Sequence, residues 1–310
     1  MLPQISPDPI RIESFRSAKG ARNRLNPISR TAALVLSTLR TMVLAPKSNN
    51  TRVAGAIFVT SRDEPRIRAH FRRLQEQTEG LLDLSYIVNR SDLPEPECSL
   101  SYTSPKKIMP RRTQRMLQNG GIYGGFVDVL FVPLALALKN EFVWIIEYDV
   151  DFSGDWRDFF TQFKTDRTDV LTTSLITRAK SLDWVHWETA RPSPEVPQSQ
   201  HLRSFNPIIR LSRRFLKAYV RETADRDWPG HSEYTIPTIA AWRGYTIADI
   251  GGKGEFCPTC RRGRNYANSP EDPYSLSPGT FVYLPHRYVY FNDNSADFPQ
   301  PDMLYHPVKG

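Results

Sequence analysis

Cysteine is scarce: Cys98, Cys257 and Cys260 are the only three in 310 residues. Three thiols cannot make a disulfide framework, and their scarcity fits a reducing compartment. Long apolar runs are also lacking. No stretch of eighteen or more apolar residues occurs, so no transmembrane helix is expected. No GxGxxG pattern appears, which removes the dinucleotide fingerprint. The single CxxC at Cys257 and Cys260 has no second ligand pair, so it reads as a surface loop rather than a zinc site. Its neighbours Arg261, Arg262 and Arg264 offer charge for an anion. Finally, the body of the chain lacks a charge excess. Residues 1–52 hold nine basic and two acidic side chains, and the rest hold 32 basic and 31 acidic. The net charge of +8 therefore belongs to an N-terminal arm, and the body gives no electrostatic reason to bind nucleic acid.

Within that arm, "TAALVLSTLRTMVLA" (31–45) is apolar but short, broken by Arg40 and preceded by Arg16, Lys19, Arg22, Arg24 and Arg30. It reads either as a targeting segment or as a helix lying on a membrane surface or on the body. A cytoplasmic or membrane-associated location is favoured, peripheral contact running through residues 1–52, and lumenal targeting of the Golgi type stays open.

From residue 53 to 310 the pattern is that of one α/β domain. "RVAGAIFVT" reads as a strand, and "SRDEPRIRAHFRRLQEQTEG" as an amphipathic helix with Ile67, Phe71 and Leu74 on one face. "LLDLSYIVN" is a second strand. Strand, helix and strand in under forty residues are the mark of a βαβ unit and a mainly parallel sheet. "LPEPECSLSYTSPKK" reads as a polar loop. "DVLFVPLALALKN" reads as a helix feeding "EFVWIIEYDVDF", a continuous apolar run expected to be a central strand covered on both faces. Helices are expected again at "DWRDFFTQFKT", "SRRFLKAYVRETA" and "EYTIPTIAAW", with strands at "DVLTTSLIT" and "YTIADI". The last sixty residues, rich in Pro, Gly, Asn and Asp, are expected as extended segments over the sheet.

Ligands of such sheets bind beyond the carboxyl ends of the strands. Those ends are Thr60 and Arg62 after the first strand, and Glu147, Asp149 and Asp151 after the central one. Alternation along an extended strand puts the three acids on one side, about 6.6 Å apart per pair. Like charges at that spacing are costly unless a cation sits among them or arginines pair with them. Carboxylates select hard ions, here Mn²⁺ or Mg²⁺.

An apolar strand ending in Asp149-Val150-Asp151 resembles the DXD motif of glycosyltransferases with the GT-A fold. "EYDVDFSGDW" resembles the acidic strand end of a loosely characterised set of such enzymes, in which Glu147 and Asp149 are the more constant pair. "GHSEYTIPT" (230–238) resembles their acceptor-side acidic motif, with Glu233 as the base and His231 beside it, although Ser232-Glu233 replaces the usual Glu-Asp pair. "LYHPVK" (304–309) resembles their C-terminal histidine segment, with His306 on the metal and Lys309 on the diphosphate. The resemblance implies a Rossmann-related, mainly parallel sheet flanked by helices. It also implies a metal-dependent transfer of sugar from a nucleotide-diphosphate donor to a glycan, lipid or small-molecule acceptor. A nucleotidyltransferase or phosphotransferase on a related sheet, or a non-catalytic sugar- or partner-binding relative, is the alternative.

Two further stretches admit two readings each. "NGGIYGGF" (119–126) is either a loop that lets backbone approach a nucleotide sugar, with Asp128 on a sugar hydroxyl, or a sharp loop entering a helix. "SLDWVHWE" offers Trp184, His186 and Trp187 as an acceptor-stacking platform or as cover for the core edge.

Overall fold

The computed structural model describes residues 53–190, 196–267, 279–283 and 298–308. The basic arm and Lys309 lie outside the described residues. Eight strands and seven α-helices alternate along the chain in the described residues. The first part comprises β1 (Ala54–Thr60), α1 (Pro65–Gln77), β2 (Leu82–Val88), α2 (Pro105–Ile108), α3 (Pro110–Gln118) and α4 (Val127–Ala137). The middle comprises β3 (Phe142–Glu147), β4 (Asp151–Phe152), α5 (Trp156–Thr161), β5 (Val170–Thr177) and β6 (Leu202–Ser212). The last part comprises α6 (Arg213–Asp225), α7 (Ser232–Trp242), β7 (Ile247–Asp249) and β8 (Leu304–Tyr305).

Six strands form one sheet in the order β2-β1-β3-β6-β5-β7, parallel except for β6. The domain is thus α/β with a mostly parallel central sheet and helices on both faces. Alternation along the strands feeds two cores. In β1, Ala56 and Phe58 turn toward α1 and α5, whereas Ile57 turns toward the face lined by α4, α6 and α7. Val143, Ile145, Ile209 and Leu211 join the second core, and Trp144, Ile146 and Ile208 the first. No helix among the described residues is long and apolar enough to cross a membrane.

Three departures from the sequence reading bear on the site. The run "EFVWIIEYDVDF" is not one strand. It leaves the sheet at Glu147, turns through an N–H of Val150 donating to the Glu147 carbonyl (3.0 Å), and re-enters extended structure as β4. β4 pairs antiparallel with β8, some 150 residues away, in a separate two-stranded sheet with Asp151 opposite Tyr305. Residues 105–107, read as the end of a polar loop, belong to α2, with Pro105 in its first turn. And β6, with no counterpart in the sequence reading, is an eleven-residue strand buried throughout. Arg203, Asn206, Pro207 and Arg210 hide its apolar pattern. Pro207 is tolerated in a central strand because it lies beyond the β3 pairing and within the stretch where the β5–β6 register shifts.

Candidate active site

The carboxyl ends of β1 and β3 lie side by side, Val59 opposite Glu147. Because β6 runs the other way, its first residues reach the same end of the sheet. The two-residue β4–β8 ladder draws the C-terminal segment across this end, and the Val308 N–H donates to the Asp149 carbonyl (2.8 Å). The result is a three-ligand cluster. One side-chain donor atom from each of Glu147, Asp149 and His306 lies within 4.8 Å of the others. Asp149 and His306 are buried and Glu147 is half-buried.

The histidine is set for ligation. Its Nδ1 lies 2.7 Å from the Val282 carbonyl, which only accepts, so Nδ1 carries a proton and, in the neutral ring, Nε2 presents the lone pair. That Nε2 is 3.6 Å from Asp149 Oδ1. Carbonyl-anchored imidazoles of this kind are the usual support of metal-bound histidines. Two carboxylates and one imidazole form a donor set that could hold a divalent metal ion.

Asp151 does not belong to this cluster. Extended spacing would put it there, but the turn at 148–150 carries it into β4, where it is fully buried. Its Oδ1 accepts from Arg73 Nη2 and from the Phe152 N–H (2.6 Å). For this acid, arginine pairing has replaced a cation.

Glu233 lies in the first turn of α7, whose N-terminus is capped by His231: the Glu233 N–H donates to His231 Nδ1 (3.3 Å). That same Nδ1 is 3.5 Å from a Glu233 carboxylate oxygen. Both side chains line a small pocket with Trp184, His186, Arg203, Ser204, Phe205 and Tyr283. Burial pushes Glu233 up to about 8, against the opposing pull of Arg203 and an N–H from Asn206. Burial pushes His231 down to about 3, helped by the His186 ring stacked on it at 4.5 Å and by Arg112. Phe205 joins the pocket to the ligand cluster, its ring centroid 5.1 Å from that of His306.

The glycine loop packs against this pocket. Gly125 has φ +95°, and a Cβ there would collide with the His231 ring; its carbonyl accepts from the Ser232 N–H (2.6 Å). Asp128 is not aimed at a sugar hydroxyl. It is fully buried, forked by Arg112 (2.8 and 3.0 Å) and bonded by the Tyr219 hydroxyl (2.8 Å). The Arg112 Nη1 also donates to the Trp228 and Gly230 carbonyls, which fixes the chain entering α7.

Thr60 and Arg62 form a tight turn past β1, where the Thr60 hydroxyl accepts from the Arg62 N–H (3.0 Å) and donates to its carbonyl (2.6 Å). The Arg62 side chain is exposed and lies 3.8 Å from Glu64. Trp187 is core: buried, its Nε1 donating to the Ser181 carbonyl (2.6 Å) and its ring against Tyr234. Trp184, not Trp187, reaches the pocket. Arg203, Ser204, Phe205 and Tyr283 were missed from the sequence, because they lie on the hidden strand β6 and in the Pro-rich tail. Of the CxxC, Cys257 is buried and Cys260 exposed, and both are free thiols.

No protein-family model matches the chain, and neither does any curated protein. The functional reading therefore rests on the site itself.

Proposed function

We propose that the chain is a metal-dependent glycosyltransferase of the GT-A kind, moving a sugar from a nucleotide-diphosphate donor to an acceptor hydroxyl. The observation that carries the reading is the adjacency, across Phe205, of the cluster Glu147, Asp149 and His306 with the half-buried carboxyl of Glu233. A sheet that is parallel except for one inner strand supports it, as does a cluster at the carboxyl ends of its strands.

Glu147, Asp149 and His306 would hold Mn²⁺ or Mg²⁺, which when bound supplies positive charge to the diphosphate leaving group. The remaining work falls to the chain. Glu233 takes the acceptor hydroxyl proton, and its raised pKa of about 8 makes it a strong base once ionised. Arg203 steadies the ionised carboxylate before it takes the proton, and His231 fixes the turn that carries it. Trp184 and Tyr283 offer flat faces to the acceptor. A base aligned behind the anomeric carbon makes the transfer inverting.

The test is hydrolysis of UDP- and GDP-sugars with Mn²⁺, in wild type, Asp149→Ala and Glu233→Gln. Asp149→Ala is expected to lose the Mn²⁺ dependence. Glu233→Gln is expected to keep nucleotide binding, lose transfer by about 10²–10⁴-fold, and lose the rise of kcat/KM toward pH 8. Mn²⁺-independent nucleotide binding and no turnover in any of the three proteins would remove the proposal.

A further inference from the structure

We propose that Asp151 and Arg73 are the positioning pair of the metal centre, holding the turn that presents Asp149 rather than ligating the ion. The inference rests on the metal reading of Glu147, Asp149 and His306, and it assigns a different task to the third acid of the ladder.

Three segments meet at Asp151. From α1, Arg73 donates to Oδ1 through Nη2, and His70, one turn earlier on the same face, donates through Nε2 to the Val150 carbonyl (2.9 Å). From its own strand, the Phe152 N–H donates to the same Oδ1 (2.6 Å). From the tail, Tyr305 pairs with Asp151 in the β4–β8 ladder, and the Ser153 N–H donates to the Met303 carbonyl (3.0 Å). The turn 148–150 is thus fixed at both ends, by β3 before it and by this junction after it. Asp149 is in the middle of that turn, and His306 directly follows the strand that Asp151 pins.

The electrostatics favour the same division of labour. Asp151 is fully buried, and its Oδ2 has no hydrogen-bond donor among the described residues. Arg73 is accordingly the cation that balances it, with His70 Nδ1 further off at 3.8 Å. Removing Arg73 would leave an uncompensated buried anion beside the turn. With Arg73 in place, the charge facing a divalent ion comes from Glu147 and Asp149. The Coulomb debt of a third acid next to two others is settled by an arginine on the neighbouring helix.

The experiment measures Mn²⁺ alone binding to the full chain, by calorimetry and by electron paramagnetic resonance, alongside the melting temperature without metal. Wild type, Asp151→Asn, Arg73→Met, Arg73→Lys and His306→Ala are compared. A control, Asp169→Asn, weakens another buried acid, paired with Arg214 at the opposite end of the sheet. Asp151→Asn and Arg73→Met are expected to weaken Mn²⁺ binding by about 10- to 100-fold, the range for partners that orient metal ligands. Arg73→Lys, which keeps the charge and is the variant most apt to fold, is expected to lose less. His306→Ala should abolish the site, and Asp169→Asn should lower the melting temperature with no change in Mn²⁺ affinity. Wild-type affinity in all the Arg73 and Asp151 variants would overturn the positioning role and leave the metal reading intact. An equal loss in Asp169→Asn would also overturn it, as general loosening. No Mn²⁺ binding by wild type would overturn the metal reading and this inference with it.

Discussion

Glu233, half-buried, and Asp128, fully buried, show how differently two carboxyls can behave in one protein. Glu233 has a folded pKa of about 8, above its unfolded value of 4.5. Between those values the folded chain binds more protons than the unfolded one, so stability falls as pH rises through the window. Glu233→Gln removes this dependence. Its melting temperature should match wild type near pH 4 and exceed it above pH 8. The ceiling on the gain is about 5 kcal/mol at 1.36 kcal/mol per pKa unit. The actual gain should be smaller, since the side chain is 15% exposed. Asp128 instead shares its burial with Arg112. Asp128→Ala strands the guanidinium, and urea denaturation should show a loss of about 3–5 kcal/mol. Replacing both partners, as Arg112→Met with Asp128→Leu, should cost less, because no unpaired charge remains.

The elements explain what could be read in the sequence and what could not. β3 was legible because both its faces are covered, so its apolar run is unbroken up to Glu147. The helix face of α1 was legible from Ile67 and Leu74, which are buried as the spacing requires. The turn after β3 was not. Nothing in "EYDVDF" announces it, since no Gly or Pro marks the bend, and the contacts that hold it come from Arg73 and Tyr305, both distant in sequence. An alternation rule applied past Glu147 therefore placed Asp151 with its neighbours, though the fold turns it away. Polar groups concealed β6, because their partners are long-range too: Arg210 is buried by stacking over Phe142 and by donating to the Phe163 and Asp166 carbonyls. The loop before α4 gives a test at this scale. Gly125→Ala forces a side chain into left-handed backbone and into the His231 ring. It should cost about 1–3 kcal/mol and shift the His231 imidazole resonances, whereas Gly120→Ala, with open space around it, should leave those resonances in place.

Across the whole molecule, the ligand set ties the middle of the chain to its tail. If the proposed reading holds, Mn²⁺ binds only the folded arrangement, and saturating ion should raise the melting temperature, by about 2.7 kcal/mol of added stability at a hundredfold excess over Kd. A chain ending at residue 302 lacks β8 and His306. It should show no such shift, while keeping the far-ultraviolet signature of the six-stranded sheet, none of whose strands lies in the deleted part. Glu147, Asp149 and His306 were each legible as candidates from the GT-A resemblance. The resemblance also implied that they share one site; what the sequence did not announce is the ladder, only two residues long, that brings His306 to the acids.

That short ladder also sets a schedule for biosynthesis. Glu147 and Asp149 emerge early, but their third ligand is made 159 positions after Glu147. At about 5–20 residues per second the wait is roughly 8–30 s. During that interval the acids stand without their histidine while the rest of the sheet is still being made. On the proposed metal reading, the three-residue cluster is complete only once the tail has crossed over the turn.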